Sequence, residues 1–275
     1  MLKRWTVVIG AALILLGMIT IGNNILRAIG FNYRIGWIFW PIVLIGLGIW
    51  VIQGFTVGGW KGGEVPREDA SIPLDGAAEA SIRVKHGAGR LTIGSGAAPG
   101  QLLSGSFGGG LEARTARDGG KLSVEMRIKD RDVSSYLGTW GRGQRGLLDW
   151  NFTIARDIPV DLILETGAND ARADLTDLAV RDLRLKTGAS STVIDLPAHA
   201  GSTRVSVESG AASVKLRVPA DVAARIKVSS ALAGVNVNAA RFPKSGDFFC
   251  SADWERASNK VEIAVETGVG SIEVV

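Results

Sequence analysis

Cysteine and histidine are nearly missing from this chain of 275 residues, which has one cysteine, Cys250, and two histidines, His86 and His199. A single thiol excludes an intramolecular disulfide framework and a thiolate zinc cluster, and two imidazoles leave little material for His-based chemistry. Acidic side chains are missing from one region. Residues 1–60 hold Lys3, Arg4, Arg27 and Arg34 and no Asp or Glu, so this segment carries the whole formal charge of +4 and leaves 27 residues of each sign in 61–275. The pI of 9.4 therefore belongs to the N-terminal segment, and binding of nucleic acid loses its electrostatic support.

What the chain does have is apolar surface: 46% hydrophobic residues and a mean hydropathy of +0.21, above the range of a purely soluble protein. The excess lies where the charges are absent. Trp5–Leu26 and Ile35–Trp60 are uncharged runs of 22 and 26 residues, and about 20 helical residues cross a hydrocarbon core. The pattern predicts a two-helix transmembrane hairpin over 1–60 and a linker over 61–79. Trp5, Trp37, Trp40 and Trp60 fall near the predicted span ends, where indole rings favour the headgroup region. A cleaved signal peptide is the competing reading of residues 1–25, but no convincing small-x-small site follows. Lys3, Arg4, Lys61 and Arg67 flank the outer ends, against Arg27 and Arg34 in the connecting turn. That bias predicts a two-span protein of the cell membrane with its body in the cytoplasm.

From Ala80 onward a phrase recurs: Lys85-His-Gly-Ala-Gly89, Glu165-Thr-Gly-Ala-Asn169, Lys186-Thr-Gly-Ala-Ser190, Glu208-Ser-Gly-Ala-Ala212, Ser229-Ser-Ala-Leu-Ala233 and Glu266-Thr-Gly-Val-Gly270. Aligned on Gly87, Gly167, Gly188, Gly210, Ala231 and Gly268, the middle repeats are 21, 22 and 21 residues apart and the last spacing is 37. Such a period marks a repeat architecture. Three residues before the aligned position stand Val84, Leu164, Leu185, Val207, Val228 and Val265, and five before stand Ile82, Leu162, Leu183, Val205, Ile226 and Ile263. Polar residues intervene, so each repeat reads as strand, tight glycine turn, strand. The glycine is expected to supply either positive φ or close backbone approach. A single rung cannot bury its apolar face, whereas stacked rungs pool theirs. The prediction is a mostly β chain whose residues 80–275 form a β-solenoid, with a further strand at Leu122–Ile128 and loop insertions near 130–149 and 241–259.

Candidate chemistry is sparse. His86 takes a place filled elsewhere by Thr or Ser and reads as a turn residue; His199 has no Cys, Asp or Glu at ligand spacing. Cys250 lacks an evident base, so it reads as an incidental thiol. The stretches Gly94–Gly100 and Gly105–Gly110 read as turns, because neither has the Gly-Lys-Ser/Thr of a phosphate loop. Asp170, Asp174, Asp177 and Asp182 fit no calcium motif, and Asp174 is expected on the outer face, solvated or paired with Arg172 and Arg181. Trp140, Arg142 and Arg145 form a loop able to touch headgroups or a partner. Phe242, Phe248, Phe249 and Trp254 cluster in Arg241–Asn259, where capping of the last rung is the favoured reading and a partner-binding site the other. Neither cofactor nor metal site is expected.

The segment Trp40-Pro-Ile-Val-Leu-Ile-Gly-Leu-Gly48, followed by Trp150-Asn-Phe-Thr-Ile-Ala-Arg-Asp-Ile-Pro159, Leu164-Glu-Thr-Gly-Ala168 and Leu185-Lys-Thr-Gly-Ala189, resembles bacterial LiaF-like proteins with a toast-rack domain. The resemblance implies a non-enzymatic regulator or scaffold in the cell-envelope stress response, acting through protein contacts, with the lipid bilayer and a membrane sensor histidine kinase as partners. It supplies no catalytic residues. The alternative is a structural or adhesin-like assembly protein that forms homo-oligomers through open end rungs, including Ser271–Val275.

Overall fold

The computed structural model describes residues 67–129 and 148–275. The expected hairpin 1–60 with Trp5, Trp37, Trp40 and Trp60, and the loop residues Trp140, Arg142 and Arg145, lie outside the described residues. The described residues contain no helix and form one sheet of fourteen strands. In chain order these are β1 (Arg67–Pro73), β2 (Glu79–Ser95), β3 (Gln101–Gly108), β4 (Leu111–Asp118), β5 (Lys121–Ile128), β6 (Trp150–Ile154) and β7 (Val160–Asp174). There follow β8 (Val180–Thr187), β9 (Ser191–Asp195), β10 (Ser202–Arg217), β11 (Ala223–Val237), β12 (Lys244–Ser245), β13 (Phe248–Cys250) and β14 (Lys260–Val274).

The repeats stack in parallel and in register. Ile82, Leu162, Leu183 and Val205 align as neighbours across β2, β7, β8 and β10, and Val84, Leu164, Leu185 and Val207 align two residues further on. Ile93, Ala173, Ile194 and Leu216 continue the apolar rows on the second half of each rung. All twelve are buried in one core cluster. At about 1.5–3 kcal/mol for each fully buried Val, Leu or Ile, these rows are the main driving force for stacking.

Three features differ from the sequence reading. The rungs are not strand, tight turn, strand: β2, β7, β10, β11 and β14 run unbroken through the aligned position as bent strands of 15–17 residues, and of the six aligned repeats only the one made of β8 and β9 is split. The glycines there do not have positive φ. Close approach explains them instead. A Cβ on Gly167 would overlap the carbonyl oxygen of Gly87, one on Gly268 would lie 2.8 Å from that of Gly210, and ones on Gly188 and Gly210 would lie 3.2 Å from the preceding rung's carbonyl. Backbone from one rung thus occupies the space a side chain would need on the next.

The second difference is the order of the rungs. The last repeat in sequence is not last in the stack: β14 pairs with β10 on one side and β11 on the other, over its whole length. Ser271–Val275 is therefore interior or at its margin, with Ser271 to Val274 in register with both neighbours, and is not an open end. The 37-residue spacing is the length of a crossover that leaves β11, passes through β12 and β13, and returns to fill the slot beside β10.

The third difference concerns the N-terminal end. Residues 67–73, expected within a linker, form β1 and pair antiparallel with β3. Gly105–Gly108, read as a turn, belongs to β3, where Gly105 lies so close to Asn151 and Phe152 of β6 that a Cβ would overlap them. Strands β5 and β6 pair in parallel with the first and second halves of β2. They are two halves of a further rung.

Candidate functional site

The bends line up into a trough along the stack. Its volume is about 1,070 Å³, and its lining comprises the two residues before each aligned position together with the aligned residue itself in every repeat but that of Gly188. In spatial order the first of these positions reads Lys85, Glu165, Lys186, Glu208, Glu266, Ser229, and the second His86, Thr166, Thr187, Ser209, Thr267, Ser230. The period-two pattern puts the first set outward and the second inward.

The inward set forms a polar seam beside the apolar core. Thr166 Oγ1 donates to Thr187 Oγ1 at 2.9 Å, and Ser209 Oγ donates to Thr267 Oγ1 at 2.8 Å. Hydroxyls suit this place because each both donates and accepts, so neighbours satisfy one another without water. The outward set alternates in sign over four rungs and is cross-linked by ion pairs, Lys186 to Glu208 at 2.9 Å and Lys85 to Glu125 of β5 at 2.9 Å. Elsewhere on the faces Arg83 meets Glu165, Lys121 meets Asp161, Lys215 meets Glu273 and Arg217 meets Asp195 between rungs. Exposed pairs of this kind contribute about 0–1 kcal/mol each; their effect is on register, since a slip would bring like charges together.

At the N-terminal end of the seam stands His86, where the other rungs carry a hydroxyl. It is 1% exposed, and its Nε2 donates to the Leu148 carbonyl at 2.8 Å at the end of the 129–149 insertion. Its ring packs 5.2 Å from Trp150, which in turn meets Phe107 edge-on. Burial holds the His86 pKa below the ordinary imidazole value, although the Leu148 carbonyl and the Asp149 carboxylate both favour protonation. His86 is thus a neutral peg between the second rung and the insertion.

At the C-terminal end the crossover residues divide. Phe242 is completely buried in the core and can present nothing to a partner without local unfolding. Phe249 packs partly against the core, and Phe248 lies 4.3 Å beneath the Arg225 guanidinium, both on β13, which pairs with β11 at Arg225 and Ile226. Trp254 is half-buried with the Lys260 ammonium 5.6 Å from its ring. The arrangement covers the start of β11, at Ala224 to Ile226. Sequence reasoning missed Arg241, whose guanidinium donates to the carbonyls of Val218, Pro219, Ala220 and Val222 and fastens the loop that leads into β11. No local motif announces such a residue.

The remaining candidates are scattered. His199 and Asp174 are exposed, and Asp174 accepts from the Thr176 amide, while Arg181 pairs with Glu79 and Asp161 instead. Among the described residues no three His, Cys, Asp or Glu side chains are grouped to hold a metal ion.

Bent strands stacked in parallel about a single apolar core, with antiparallel strands at both ends, define a mostly β repeat protein of the solenoid class. The chain belongs to the family described as the N-terminal domain of toast_rack, DUF2154, which matches residues 61–217. The fold is similar to the crystal structure of a candidate cell adhesion protein from Clostridium sporogenes, with a TM-score of 0.66 at 21% identity over 76% of this chain and 98% of that one. A candidate adhesin from Bacteroides fragilis aligns over 76% of this chain and 96% of its own at 8% identity, with a TM-score of 0.25. No curated protein matches the chain.

Proposed function

We propose that this protein is a membrane-anchored, non-enzymatic regulator or scaffold of the bacterial cell-envelope stress response. Its anchor is the two-span segment 1–60, its body faces the cytoplasm, and its partners are the lipid bilayer and a membrane sensor histidine kinase. The observation that carries the reading is the bend trough: a long, open, rigid groove with charged rims at fixed spacing, Lys85, Glu165, Lys186, Glu208 and Glu266. Such a surface suits docking of a polypeptide better than enclosure of a small substrate. Tethering to a hairpin raises its effective concentration around other membrane proteins. The stress-response setting rests on the resemblance to LiaF-like proteins.

The test is transcription of envelope-stress genes in resting cells and in cells treated with a cell-wall antibiotic, with and without the gene. Altered basal or induced output supports the reading, and unchanged output in both states removes it. Topology is tested with native Cys250: labelling of intact cells by a membrane-impermeant thiol reagent, with no labelling of a cytosolic control, would place the body outside. External placement would favour the second reading, an adhesin-like assembly protein, which the unpaired edge of β11 supports.

A further inference from the structure

We infer that the open edge of β11 is a homodimerisation surface, on which a second copy of this chain adds its own β11 edge. This inference concerns assembly alone and does not depend on the signalling reading. Strand β11 pairs with β14 along one side, whereas on the other β13 covers only Arg225 and Ile226. Among the described residues, the stretch after Ile226 has no strand partner on that side. The sheet therefore ends in a row of unpaired backbone donors and acceptors.

The side chains at this end show the same incompleteness. The three large hydrophobics that stand exposed among the described residues are Leu232 at 80%, Val269 at 53% and Val235 at 39%. Leu232 and Val269 are register neighbours, as are Val235 and the fully buried Ile272. Val228 and Val237 end their inner rows only partly covered. The rows that end in Val228, Val235 and Val237 are sealed in every earlier rung and run out here, whereas Leu232 and Val269 place large apolar side chains in a row that Ala88, Ala168 and Ala211 occupy half-buried or exposed.

Charge selects the occupant. Residues 228–238 contain no charged residue and no proline, the devices by which edge strands are normally guarded. The other edges have them: β4 carries Glu112, Arg114, Arg117 and Asp118, β1 carries Arg67, Glu68, Asp69 and Pro73, and β12 carries Lys244. Head-to-tail stacking would set the uncharged β11 edge against the charged edges of β1 or β4 and lose their hydration. The edge that matches β11 in length, neutrality and apolar content is β11 of another copy. Like meeting like across a two-fold axis uses up both edges, so the assembly closes as a dimer and does not grow into a filament.

The test is the mass of the full chain in detergent micelles by light scattering, for the wild type, Leu232→Lys, Val235→Lys and, as a control on the charged edge, Thr115→Lys. Leu232 projects into solvent, so its replacement leaves the core intact; a thermal melt checks this for both variants, and if Val235→Lys melts early Leu232→Lys decides alone. The expected result is a wild-type dimer, a dissociation constant raised about tenfold or more by Leu232→Lys, and no change with Thr115→Lys. A monomeric wild type at micromolar concentration, a dimer indifferent to Leu232→Lys, or open-ended oligomers would overturn the inference.

Discussion

If the aligned glycines are there because the neighbouring rung's backbone fills the Cβ position, the cost of adding a methyl should follow the available space rung by rung. The series Gly87→Ala, Gly188→Ala, Gly210→Ala, Gly268→Ala and Gly167→Ala samples that space. Gly87 has nothing within 4 Å of its would-be Cβ, Gly188 and Gly210 have a carbonyl oxygen at 3.2 Å, Gly268 has one at 2.8 Å, and at Gly167 the overlap is outright. None of the five has positive φ, so alanine brings no backbone strain of its own. It restricts the unfolded chain instead, a gain of about 0.4–1 kcal/mol where space permits. Gly87→Ala should therefore stabilise by that amount. At Gly188 and Gly210 the gain and a mild clash offset each other to within about 1 kcal/mol, whereas at Gly167 overpacking costs about 1–3 kcal/mol or more. Gly268 lies between. For a body of this size each kcal/mol moves the melting temperature by about 2–4 °C. Thermal unfolding of the five purified full-length variants measures the order directly. Equal losses at Gly87 and Gly167, or no loss at Gly167, would refute inter-rung spacing as the reason for glycine.

Other perturbations test the remaining interactions. Val207→Asp places a carboxylate in a fully buried row with no partner and should lower stability by several kcal/mol or abolish folding, seen as loss of the cooperative melt. For His86, whose folded pKa is depressed by burial, the unfolded chain binds a proton that the folded one excludes below about pH 6.5. Stability should then fall as pH drops below that value, and His86→Thr, the residue of three equivalent rungs, should flatten that part of the profile. Arg241→Met keeps the aliphatic stem but removes the guanidinium donor from four loop carbonyls, of which that of Pro219 keeps the Val222 amide, and should cost about 1–3 kcal/mol with enhanced hydrogen exchange in residues 218–222.

Alternation made the rows legible in the sequence. Val84, Leu164, Leu185 and Val207 occupy equivalent places because a strand has period two and parallel rungs must match apolar rows, so the same arithmetic that identifies the repeat predicts the register. The bend was harder to read. A Gly-Ala pair marks a departure from straight extension, but whether glycine serves φ or proximity depends on the neighbouring rung, which no local window contains. The rung order was illegible for a related reason: parallel β10 to β11 and parallel β10 to β14 bury the same kinds of side chain, and Val205 would face Ile226 as well as it faces Ile263. The signs that separate them are the 37-residue spacing, the replacement of glycine by Ala231, and the exposed Leu232. The aromatic cluster is not one unit, because Phe242 and Phe248 are close in sequence yet lie on different sides of the boundary between core and surface.

The stacking order also determines which parts of the body depend on one another. Strand β11 is made before β14, yet most of its hydrogen bonds and its inner-row contacts are to β14. Until Lys260–Val274 arrives, β11 has no native parallel partner, and β10 presents an unpaired face to the same slot. The crossover resolves this by anchoring both ends. Arg241 fixes the loop before β11, and the Ala223 amide and Lys260 amide are tied to the carbonyls of Asn259 and Gly201 respectively. These bonds hold the entry to β14 beside the entries to β10 and β11. Insertion of β14 completes the rows of β10 and leaves β11 as the terminal rung, which is why an exposed apolar edge occurs on the strand that precedes the crossover and not at the C-terminus.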